Sequence, residues 1–103
     1  MFDTSLMLCI NILGLEMLEK ELTVVNRAGL HTRPAASLVR LTSKFKSDIQ
    51  ISRETFKINA KSIIGVMSLV AEKGCKLILN VNGEDESQAA EEISNLFETG
   101  FGE

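Results

Sequence analysis

The stretch Gly29-Leu30-His31-Thr32-Arg33-Pro34-Ala35-Ala36 sets the chain's single histidine two residues before an arginine and three before its single proline. Proline is tolerated in the first turn of a helix, where its missing N–H costs little. Pro34 therefore predicts a helix start and puts His31 at or next to the N-cap. The free amides of such a turn point outward and favour an anion, and the positive helix end disfavours a protonated imidazole. A neutral imidazole is the nucleophilic form. Arg33 adds a fixed charge and a fork of donors suited to phosphate oxygens, so the same groups would meet negative charge as a phosphoryl group arrives. On residue types alone a second reading stays open, in which His31 is a surface or capping residue.

A second stretch, Asn59-Ala60-Lys61-Ser62-Ile63-Ile64-Gly65-Val66-Met67-Ser68-Leu69, offers a hydroxyl before a short apolar helix. Ser62 reads first as an N-cap. The alternative is phosphorylation, which would set about two negative charges against a helix N-terminus. Ile63, Ile64 and Met67 cannot all face inward on so short a helix, which predicts exposed apolar surface suited to a partner.

The remaining sequence has to position these two stretches. Leu18, Leu22 and Val24 alternate with Glu19, Glu21 and Thr23 as a strand with one buried face. Lys20 interrupts the apolar set, which suits a fraying or edge position. Arg27-Ala28-Gly29 turns the chain. From Thr32 to about Lys44, Ala35, Leu38, Thr42 and Phe45 recur at helical spacing. Ile49 and Ile51, then Phe56 and Ile58, read as two short strands joined at Arg53-Glu54-Thr55. A helix from Ser62 to about Val70, ending near Gly74, precedes a strand with Leu77, Leu79 and Val81. Asp85 and Gln88 resemble a capping box opening a last helix with Ala89, Ala90, Ile93, Leu96 and Phe97 inward, ended by Gly100 and Gly102. The order βαββαβα predicts an α+β fold, a four-stranded antiparallel sheet with three helices on one face.

At 103 residues the chain suits one core. Apolar content of 45% and charged content of 24% are those of a globular protein. A net charge of -3, with no Tyr or Trp to stack on bases and no Gly-rich phosphate loop, argues against nucleic acid. The same features disfavour an RNA-binding α+β domain, and a plain ligand-sensing domain of similar topology would have no use for the His31–Arg33 pair. Cys9 and Cys75 form no CxxC and read as two reduced thiols, with one disulfide as the alternative; one His and two separated Cys leave a zinc site almost no ligands, and no metal or other cofactor is expected. No apolar run approaches the roughly 20 residues that span a bilayer. Residues 1–16 are apolar but lack the Lys or Arg of a signal peptide. A cytoplasmic location is the expectation. Residues 1–16 read as an extension or as a start assigned too early, Met17 being a second possible start, with the domain proper at 17–103.

Taken together, GLHTRPAA around His31, NAKSIIGVMSL around Ser62 and the closing GFGE resemble the HPr family, the histidine-containing phosphocarriers of the phosphoenolpyruvate-dependent phosphotransferase system. The resemblance runs from about Met17 to Glu103. It implies an open-faced β-sandwich and a monomeric stoichiometric carrier that is not itself an enzyme. It implies that His31 is phosphorylated on the ring nitrogen nearer the backbone, with Arg33 neutralising the phosphate. Enzyme I would be the donor and enzyme IIA domains of sugar permeases the acceptors. Ser62 falls at the regulatory serine of the family, the target of HPr kinase/phosphorylase, and the resemblance implies as the alternative a mainly regulatory protein without sugar transport, either a phospho-Ser62 corepressor or a member of the nitrogen-type branch. Partner contacts are expected at Arg27, Thr32, Ile63, Ile64 and Met67. The sequence departs from many relatives at Ile64, where they have Met, and at Val70, where they have Gly.

Overall fold

The computed structural model describes residues 18–102. The extension at 1–16, Met17, Cys9 and the terminal Glu103 lie outside the described residues. Four strands, β1 (Leu18–Thr23), β2 (Asp48–Arg53), β3 (Phe56–Asn59) and β4 (Lys76–Asn82), form one antiparallel sheet in the order β1-β4-β2-β3. Three helices, α1 (Thr32–Thr42), α2 (Ile63–Ser68) and α3 (Glu86–Glu98), interleave with them in the expected βαββαβα order.

The alternation of each strand decides which face it buries. Leu18 and Leu22 of β1, Ile49 and Ile51 of β2, and Leu77, Leu79 and Val81 of β4 turn inward against Ala35 and Leu38 of α1, Val66 of α2 and Ala89, Ala90, Ile93 and Phe97 of α3. Glu19, Asp48, Gln50, Lys57, Asn80 and Asn82 line the opposite, open face. Strand β1 lies at the sheet edge, as Lys20 suggested. Ile51 pairs across the ladder with Ile58 and Leu79, which fixes the register through the centre of the core.

Several expectations change. Helix α1 stops at Thr42, and Phe45 is buried from the loop that follows. The Thr42 hydroxyl donates to the Ala60 carbonyl at 2.8 Å, tying that helix end to the start of the Ser62 segment. Phe56 is half exposed, at the start of the edge strand β3. Helix α2 ends at Ser68, well before Gly74, where the chain turns sharply at Val70 (φ +50°). The capping box at Asp85 and Gln88 does not form. Asp85 makes no side-chain capping bond. Its carboxylate accepts from the Lys46 amide (2.9 Å), the Ser47 amide (3.0 Å) and the Ser47 hydroxyl. Gln88 instead donates to Glu92, and Glu86 accepts from the Gly83 amide at 3.1 Å.

Candidate functional site

His31 is the N-cap of α1, with extended backbone (φ -83°, ψ -166°), and its carbonyl accepts the first helical bond from the Ala35 amide at 2.9 Å. The imidazole is exposed and makes no capping bond to the helix. Thr32 and Arg33 open the first turn and are exposed, while Pro34 is buried beneath them. No acidic residue stands in that turn to compete for the positive helix end. The sequence therefore places the ring at the mouth of an 11-residue helix, with one guanidinium beside it in the chain and no carboxylate in between.

The loop that carries His31 is held from two sides. The Asn26 amide group donates to the Gly29 carbonyl at 2.7 Å, and the Gly29 N–H returns a bond to the Asn26 carbonyl at 3.1 Å. Gly29 has φ +74°, and a Cβ there would lie 2.4 Å from the Ala71 carbonyl oxygen. Glycine is thus required both for its left-handed backbone and for close approach. The next residue, Leu30, donates its N–H to the same carbonyl at 2.9 Å. Arg27 is exposed in the turn that begins this loop.

Ser62 caps α2, its hydroxyl accepting from the Gly65 amide at 3.1 Å, as its type predicted. The residue is exposed. Only Val66 of α2 is buried, so Ile63 (38% exposed), Ile64 (78%) and Met67 (41%) form an apolar surface, continued by Val70 (65%). The two stretches singled out in the sequence meet through the segment after α2, because Ala71 accepts from Leu30. Two contributors lacked a strong sequence signal. Asn26, three residues before Gly29, is a turn-forming spacing that could have been read. Arg53, which donates to the carbonyls of Leu69 and Val70, reaches them from the sheet and left no trace in local pattern.

Fold and site together define a small α+β sandwich that presents one imidazole at a helix start, next to a short serine-capped helix. The family model for the PTS HPr component phosphorylation site matches residues 18–99. A phosphocarrier protein HPr of Xylella fastidiosa is 48% identical over 87 residues, covering 84% of this chain and 98% of its own. The HPr crystal structure from Thermoanaerobacter tengcongensis superposes with a TM-score of 0.80 at 42% identity, over 82% of this chain and 96% of that one. Crh of Bacillus subtilis, a catabolite repression protein whose crystal structure shows a dimer with domain swapping, matches with a TM-score of 0.66 at 38% identity, over 72% and 85% of the two chains. This chain belongs to the HPr family, the phosphocarriers of the phosphotransferase system. Among the described residues no helix is long and apolar enough to cross a membrane.

Proposed function

We propose that His31 takes a phosphoryl group from phosphorylated enzyme I and passes it to enzyme IIA domains. The observation that carries this reading is the exposed imidazole at the N-cap of α1, with Arg33 exposed in the first turn of the same helix. In the forward step a neutral ring nitrogen of His31 attacks phosphorus, a new N–P bond forms, and the donor's bond to phosphorus breaks with its electron pair returning to the donor. The first-turn amides and Arg33 stabilise the three phosphoryl oxygens in transit. Reversal toward an acceptor needs only that the acceptor's nucleophile replace the donor. The exposed patch of Ile63, Ile64 and Met67 is the docking face, and the exposed Arg27 and Thr32 add polar contacts to the same partners. The carrier acts as a cytoplasmic monomer, one phosphoryl group per chain. With enzyme I and phosphoenolpyruvate, the protein should acquire an acid-labile, base-stable phosphate. If His31→Ala still acquires it, the assignment fails.

A second role rests on Ser62. Its hydroxyl is exposed at the helix start, where a phosphate can take over the Gly65 amide bond and face the positive helix end. Added charge on that side opposes a further phosphoryl transfer from enzyme I, so phospho-Ser62 serves as a brake and as a signal in its own right. A cognate ATP-dependent kinase that leaves Ser62 unmodified would remove this role while leaving the His31 chemistry intact.

A further inference from the structure

The turn Leu69-Val70-Ala71 that follows α2 combines two features that neither the fold nor the carrier chemistry requires. Val70 adopts φ +50°. That region crowds the Cβ of any L-residue, most of all a β-branched one, and helix ends of this kind favour glycine. The side chain nevertheless stands largely exposed between two buried neighbours, so no packing against the core holds it there. The second feature is Arg53, the last residue of β2. One of its guanidinium nitrogens donates to the Leu69 carbonyl at 2.9 Å and to the Val70 carbonyl at 2.7 Å. These carbonyls belong to the negative end of α2, where orphan acceptors and a cation suit each other. The third carbonyl of the turn, that of Ala71, accepts from Leu30. All three carbonyls of the turn are therefore tied, two to Arg53 and one to the loop that carries His31.

We propose that Arg53 is a positioning residue for the docking surface: by gripping the Leu69 and Val70 carbonyls it holds Val70 in the left-handed region. The valine then extends the apolar ridge of Ile64 and Met67, and Ala71 stays in place to receive Leu30. A glycine at this position would leave that end of the ridge without a side chain. Arg53 and Val70 thus work as a pair, the one supplying the restraint that the other needs, and they tune which partners fit this end of the surface. The docking half of this proposal rests on the reading of α2 as the partner face. The clamp itself does not.

The test compares wild type, Arg53→Ala, Val70→Gly and the double variant by amide hydrogen exchange in the full chain. The amide of Val70, bonded to the Met67 carbonyl, and that of Leu30 report the turn; Leu79 in β4 reports the core. Arg53→Ala should speed exchange at Val70 and Leu30 by about tenfold and leave Leu79 within about twofold, the mark of a local opening. In the Val70→Gly background the same substitution should change them less than about threefold, because glycine adopts this backbone unaided. Unchanged exchange in Arg53→Ala, equal acceleration everywhere, or the same acceleration with glycine present overturns the clamp. Phosphoryl transfer from enzyme I provides the second readout: Arg53→Ala should raise KM for the carrier about fivefold, with kcat within about twofold. An unmoved KM overturns the docking half. A wild-type protein that accepts no phosphoryl group sinks the carrier reading, and the exchange data still decide the clamp.

Discussion

Asp85 shows how a single side chain can be recruited away from the role its position suggests. Standing at the start of α3, it bonds the Lys46 and Ser47 segment instead of the helix. The Ser47 hydroxyl first, then the Lys46 amide, hold its carboxyl below the ordinary value of 3.8. A carboxyl whose folded value lies below its unfolded one contributes stability that is complete above the unfolded value. That contribution is lost as pH falls through the folded value. Asp85 therefore helps to hold the α1–β2 loop at neutral pH, and that help declines as pH falls below the ordinary value of 3.8. Asp85→Asn should lower Tm at pH 7, since an amide offers one acceptor oxygen where the carboxylate has two. It should also flatten the fall in Tm between about pH 4 and pH 2, because the group that titrated there is gone. Thermal melts across that range check both outcomes. An unchanged acid slope would mean that other carboxyls set it.

At the scale of elements, the His31 loop and the end of α2 form one unit, and Gly29 is the point where they touch. An alanine there meets two penalties at once. The left-handed backbone costs a non-glycine residue roughly 1–2 kcal/mol, and the new Cβ would sit 2.4 Å from the Ala71 oxygen, so backbone must shift. Gly29→Ala should therefore destabilise the fold by more than about 2 kcal/mol in denaturant titration. It should also slow phosphoryl acceptance, because the shift falls two residues from His31. A loss of less than about 1 kcal/mol would show that the loop can slide off Ala71 freely. Much of this was legible in advance. Period-two and period-3.6 patterns located the four strands and three helices of the described residues, Pro34 marked the start of α1, and Ser62 capped α2 as its type demands. What was not legible depends on contacts made across the fold. The Asp85 spacing matched a capping box, yet the Lys46–Ser47 segment, distant in sequence, takes the carboxylate with two amides and a hydroxyl. Helix α2 stopped early because Arg53, on a neighbouring element, stabilises its last carbonyls in a turn that local propensity would assign to glycine.

Across the whole molecule the sheet divides two surfaces of different character. The open face carries Glu19, Asp48, Gln50, Lys57, Asn80 and Asn82, a mixed polar set on rigid strands. The helical side carries the exposed imidazole and the apolar ridge of α2, joined through the Leu30 bond to Ala71. On the proposed function, a carrier that meets both a donor and an acceptor needs its reactive group and its docking surface on one side, so that either partner covers both. That arrangement was only half visible in sequence, since the His31 and Ser62 stretches lie about thirty residues apart and nothing local says that they adjoin. It leads to a paired prediction. Ile64 is 78% exposed, so Ile64→Glu should change stability by no more than about 0.5 kcal/mol. It should nevertheless weaken transfer from enzyme I about tenfold or more, because a charge would be desolvated where an apolar contact is made. Gln50→Glu adds the same charge to the open face, and should leave both stability and transfer nearly unchanged. Equal effects of the two substitutions on transfer would place the docking surface elsewhere and point to net charge as the controlling variable, whereas the expected asymmetry assigns donor recognition to the ridge beside His31.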